Sequence, residues 1–156
     1  MRWGTRLSAI LAGLTLTGCV GEFDREELVR EQLNAARDQW EDAGYEDYSI
    51  VVRRACGDCQ GATQFARLIV RNNARVSATF FETGDSVSAA ELALYPTVLD
   101  LFDFIDDAIR EGADEVTVSY DGLLGYPTAI YVDRTVDTLN DETAYSAHSV
   151  EPLDPA

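Results

Sequence analysis

The sequence predicts an α+β fold, with an antiparallel sheet of about six strands assembled from two helix-plus-three-strand units and two main helices packed on one face. Two stretches carry apolar residues at helical spacing, near 24–43 and 97–111, and six short stretches alternate apolar and polar side chains. Their order is helix, three strands, long connection, helix, three strands. A chain of 156 residues has room for one domain of this kind.

The first helix is expected from Asp24, which has capping-box spacing to Glu27, to a stop at Gly44, with Val29, Leu33, Ala36 and Trp40 on its core face. Beyond Gly44 the period changes to two. Tyr48, Ile50 and Val52 form one face of a first strand, Ala66, Leu68 and Val70 of a second, and Val76, Ala78 and Phe80 of a third. Asn72-Asn73 between the last two tolerates positive φ and predicts a tight hairpin. Residues 81–96 form a connection in which Ser88 caps a short turn before Tyr95-Pro96.

A second main helix starts at Thr97 and stops at Gly112, with Val98, Leu101, Phe102, Ile105, Ala108 and Ile109 on one stripe. Asp103, Asp106, Asp107 and Arg110 lie opposite and read as a solvated face. The last three strands are 116–120, 128–133 and 143–150, followed by a loose tail, 151–156.

The N-terminus reads as an address. Arg2 and Arg6 precede the apolar run Leu7–Leu16, which has the charge and length of a secretory signal and is too short to span a bilayer. Leu16-Thr17-Gly18-Cys19 resembles the lipobox of bacterial lipoproteins, which implies cleavage after residue 18 and a lipid such as palmitate on Cys19. Residues 19–23 then form a short tether and 24–150 the domain, held near a membrane of the bacterial cell envelope.

Cleavage removes two arginines and leaves 10 of the 12 basic residues against 28 acidic ones, a net of −18. So acidic a protein repels phosphate backbones, and nucleic acid is excluded as a partner.

With Cys19 lipidated, Cys56 and Cys59 remain as a pair in an oxidising compartment, where a disulfide is the expectation. A thiol-redox pair needs its first cysteine at a helix N-terminus, and here a strand follows. Zinc lacks further ligands, and haem attachment lacks a histidine at position 60. No cofactor is implied: there is no Gly-rich phosphate loop, and His148 is the single histidine, read as a surface or hydrogen-bonded side chain.

Two segments stand out as candidate sites. Tyr120-Asp121-Gly122-Leu123-Leu124-Gly125-Tyr126-Pro127 reads first as a hairpin. It also offers a possible binding surface of Tyr120, Asp121, Leu123, Leu124 and Tyr126, with the two leucines and Tyr126 as an exposed apolar tip. Asp133, Asp137, Asn140, Asp141 and Glu142 concentrate oxygen ligands before the last strand, which makes Asp133, Asp137, Asp141 and Glu142 calcium candidates despite lacking EF-hand spacing.

Trp40 followed by Tyr48, Cys56-x-x-Cys59, Tyr120-Asp121 leading to Gly125-Tyr126-Pro127 and Ile130, and Asn140-Asp141-Glu142 before Tyr145 resemble a bacterial family, domain of unknown function 6174, over roughly residues 36–150. The resemblance implies a secreted or lipidated envelope protein and no particular activity. Together the residues favour a binding module with an envelope protein partner. The alternatives are a thiol-redox or carboxylate-based enzyme and a calcium-stabilised structural module.

Overall fold

The computed structural model describes residues 22–57 and 61–154, with side chains of the first helix described from Arg25 onward. The leader, Cys19 and Cys59 lie outside the described residues. The elements are α1 (Glu22–Ala43), β1 (Tyr48–Cys56), β2 (Ala66–Arg71), β3 (Ala74–Phe80), α2 (Ala89–Leu92), α3 (Val98–Glu111), β4 (Glu115–Tyr120), β5 (Pro127–Asp133) and β6 (Thr143–Pro152). All strands join one antiparallel sheet in the order β3-β2-β1-β6-β5-β4. The two meanders therefore lie side by side, with the first strand of one against the last strand of the other.

The expected fold class is present, with differences at its ends. The first helix begins at Glu22, ahead of the Asp24 expected to cap it, so helix takes up part of the expected tether. The expected loose tail is a further correction. β6 runs to Pro152 because Ser49 and Tyr48 offer it partners, Glu151 and Pro152. Leu153 N–H then donates to Asp47 C=O and Arg71 to Asp154 C=O.

Local chemistry places the turns and caps. Asn72 and Asn73 both take positive φ, 49° and 60°, as the twist of a two-residue hairpin requires. Thr97 accepts from Asp100 N–H while Asp100 accepts from Thr97 N–H, a complete capping box on α3, and Gly112 closes that helix in the left-handed region. The 81–96 connection covers the β3 edge: Phe80 N–H donates to Asp85 C=O, Val87 N–H to Ala78 C=O, and Ser86 bridges Thr79. An unpaired edge would otherwise template aggregation.

The core lies between the sheet and the two long helices. Leu33, Ala36 and Trp40 of α1 and Val98, Leu101, Phe102, Ile105 and Ala108 of α3 pack with Tyr48, Ile50, Val52, Leu68, Val70, Ile130 and Val132. The α3 carboxylates are not only a solvated face, since Arg37 pairs with Asp103 at 3.1 Å and Arg30 with Asp106 at 3.5 Å, clipping α1 to α3. No helix among the described residues is long and apolar enough to cross a membrane. Side chains that alternate away from the core form a second, helix-free face, and the candidate site lies there.

Candidate functional site

Residues 121–126 form a six-residue connection between β4 and β5, fastened to α1 rather than standing out as an apolar tip. Asp121 accepts from Leu123 N–H and Leu124 N–H, and Gln39 donates to Gly122 C=O. Tyr126 is 6% exposed and packs edge-on against Trp40 at 6.4 Å, which corrects its expected place in an exposed tip. Leu124 packs on the core and Tyr120 stacks on Phe102, so of the proposed binding side chains only Leu123 stands well clear, at 82% exposure. Asp121 is half-buried and occupied by the turn it caps. Burial pushes the Tyr120 phenol up to about 12, against the pull of Arg37.

Gly125 is what lets this hairpin approach the helix. It has φ +79°, and a Cβ there would stand 2.4 Å from Ala36 C=O. Gly125→Ala is expected to destabilise by about 2–3 kcal/mol through left-handed strain plus that clash. Chemical denaturation checks it; a loss below about 0.5 kcal/mol would mean that the hairpin is not seated on α1.

Among the described residues no three His, Cys, Asp or Glu groups converge on a point where a metal would sit. Asp137 is exposed in a turn, while Asp133 accepts from Thr135 N–H. The Tyr131 phenol is pushed up by partial burial and by the negative charge of Asp133, Glu142, Glu115 and Asp141. Partial burial and Asp141 also push the Asp133 carboxyl up. Cys56 ends β1 and is not a free thiol, and its expected partner Cys59 is outside the described residues.

The helix-free face carries a cluster that alternation alone did not reveal. In one row across the sheet lie Thr79, Arg67, Val51 and His148, paired in that order through β3, β2, β1 and β6. Phe65 and Phe81 sit beside this row, tied by Phe81 N–H donating to Phe65 C=O at 2.8 Å. The His148 ring lies 5.3 Å from Phe65 and 5.9 Å from Phe81. The Arg53 guanidinium lies 4.7 Å from the Phe65 ring centre and that of Arg67 lies 5.7 Å from Phe81. Stacking holds each planar cation in place and leaves the N–H donors at its edges to bond in the ring plane.

Arg67 also reaches Ser49 Oγ at 3.3 Å and Glu151 at 3.6 Å. Phe81 is 48% exposed, and Arg53 and His148 are exposed.

A backbone irregularity fixes the histidine. Between Ser49↔Glu151 and Val51↔His148, β6 has one residue more than β1, a bulge whose Ser149 takes φ +55°. A serine in the left-handed region costs on the order of 1 kcal/mol. Its Oγ lies 2.9 Å from His148 Nδ1, which leaves Nε2 turned away from that contact. Bulges of this kind re-aim side chains.

A family model described as a family of unknown function, DUF6174, matches residues 32–152. The chain belongs to the DUF6174 family. No curated protein and no solved structure matches it. The matched span covers both meanders and α3, so the DUF6174 domain contains both the core and the His148 face. Several residues on which the resemblance rests converge in space: Trp40 lies edge-on to Tyr48 at 5.2 Å and to Tyr126 at 6.4 Å. Those markers of DUF6174 are therefore packing residues, and they say why the fold holds rather than what it binds.

Proposed function

We propose that this DUF6174 protein is a lipid-anchored binding module of the bacterial cell envelope, whose binding surface is the helix-free sheet face around His148. The lipobox-like Leu16–Cys19 supports the anchor, with the signal removed and Cys19 lipidated, and a Cys56–Cys59 disulfide suits the same compartment. The observation that carries the binding role is the pairing of two stacked guanidiniums with the only histidine on an open face of a strongly acidic chain.

Exposed Phe81 beside the Arg53 and Arg67 guanidiniums offers a partner apolar surface and charged N–H donors together.

Two measurements test this. Palmitate label is expected on the wild type and absent from Cys19→Ser. A photoreactive residue at Thr79 in intact membranes is expected to give a specific protein adduct, and Arg53→Glu/Arg67→Glu is expected to reduce that adduct about tenfold or more with little change in melting. An adduct indifferent to both substitutions would remove the face as the binding surface.

A further inference from the structure

The helix-free face has two ends of opposite charge. Arg53 and Arg67 stand with the rings of Phe65, Phe81 and His148 at one end, where Glu151 reaches Arg67 at 3.6 Å. Glu115 and Asp133, register partners across β4 and β5, stand at the other end with Tyr131, and Asp141 and Glu142 lie in the loop that leads into β6. The register gives their separation. Arg53 is level with Ser146 and Ala129, and Asp133 lies four residues further along β5, two strands away. At about 3.4 Å per residue and 4.8 Å per strand, the ends are roughly 16 Å apart.

Between them the face is made of small side chains: Ala55, Ala144, Ser146 and Ala129. Small residues let two sheets approach to the usual spacing of about 10 Å. Tyr131, 37% exposed, borders this flat centre.

We propose that the occupant of this face is a second copy of the same chain, packed face to face about a two-fold axis lying in the interface near Ala144. Such an axis, perpendicular to the line joining the two ends, brings the arginine end of each copy onto the acidic end of the other. Each contact is then made twice, as a closed two-fold interface requires. The carboxylates of the acidic end gain guanidinium partners, and the Phe65 and Phe81 rings leave water.

A six-stranded face roughly 25 Å by 20 Å has, once side-chain relief is included, an accessible area on the scale of the ~800 Å² per partner that a standard interface buries. The net acidity of two copies opposes this at long range, but salt of about 0.15 M confines that repulsion to about 8 Å and leaves the contacts to decide. This inference rests on the assignment of the His148 face as the binding surface and names what fills it.

The test is sedimentation of the full chain, extracted from membranes in a mild non-ionic detergent at about 0.15 M salt. The wild type is expected to carry two polypeptides per particle. Arg53→Glu/Arg67→Glu and Asp133→Arg/Glu142→Arg are each expected to weaken self-association about tenfold or more, and an equimolar mixture of the two variants is expected to restore a mixed dimer. Recovery in the mixture also shows that both variants fold.

A wild type that stays monomeric at roughly 100 μM overturns the proposal, as does a dimer insensitive to both reversals. If the chain is monomeric while the Thr79 probe captures a different envelope protein, self-pairing fails and the binding role of the face stands.

Discussion

Replacing Trp40 with alanine is expected to lower the melting temperature by roughly 10–20 °C, from a loss of about 3–5 kcal/mol. Trp40 is 2% exposed and stands where α1, the start of β1 and the β4–β5 hairpin meet. It touches Tyr45, Tyr48 and Tyr126 edge-on, at 5.8, 5.2 and 6.4 Å. Three such contacts use the positive ring edge against the negative ring face, and an alanine would leave a void bounded by three rings too rigid to collapse into it. A domain of this size has about 5–15 kcal/mol in total, so the variant sits near the limit of folding. Trp40→Phe, which keeps an aromatic ring at the junction, is expected to lose less than half as much. Thermal melts followed in the near-ultraviolet check both; a Trp40→Ala protein melting within a few degrees of the wild type would show that the junction is not a hub.

Alkaline pH is expected to unfold this protein through Tyr48. Burial pushes its phenol up to about 12, although Val98 N–H, at 3.0 Å from the phenol oxygen, favours the ionised form. In the unfolded chain the same group titrates near 10. Below pH 10 both states hold the proton and stability does not change with pH. Between about 10 and 12 only the unfolded chain releases it, so stability falls by about 1.4 kcal/mol per pH unit, or about 3 kcal/mol in all for this one group. The raised phenols of Tyr120 and Tyr145 act in the same direction.

Tyr48→Phe separates the two roles of the hydroxyl. Losing the acceptor leaves Val98 N–H, in the first turn of α3, buried without its partner, at about 1–3 kcal/mol at neutral pH. Losing the proton should also flatten the decline above pH 10. Denaturant midpoints measured from pH 8 to 12 decide; a wild type unchanged through pH 11.5 would mean that the Tyr48 hydroxyl is not held away from water.

Much of the fold was legible because short-range rules governed it. Thr97 with Asp100, Gly112, the Asn72-Asn73 turn and the period-two core faces of β1 and β2 each follow from a residue and its near neighbours, whereas the register shift between β2 and β3 leaves Val76, expected on the core face, 55% exposed. The ends were less legible. β6 reaches Pro152 because β1 supplies partners from roughly a hundred residues away, a condition no local window contains. The hairpin at Gly125 was read correctly as a turn and incorrectly as an exposed tip, since only the docking of Tyr126 on Trp40 decides which side faces water. Composition gathered the acids before β6, but which of them lie near one another depends on the register that sets Asp133 against Glu115.

The His148 cluster shows where sequence reading stopped. Arg53 and Arg67 fall at outward positions of adjacent strands, a hint that alternation and a scarcity of basic residues contained. That Phe65 and Phe81 lie beneath them, and that a bulge at Ser149 turns His148 between the two rings, depends on β6 arriving next to β1.

By itself, then, the sequence determined the class of fold, the order of its elements, its acidity and most of the residues that would be buried, with exposed Val76 and buried Tyr126 against expectation, because hydrophobic period, caps and turns act within a few residues. Only the tertiary structure decided what those elements present outward. The charged and aromatic side chains of the open face come from five different strands and from residues flanking β2 and β3, and nothing short of the sheet's register brings them together.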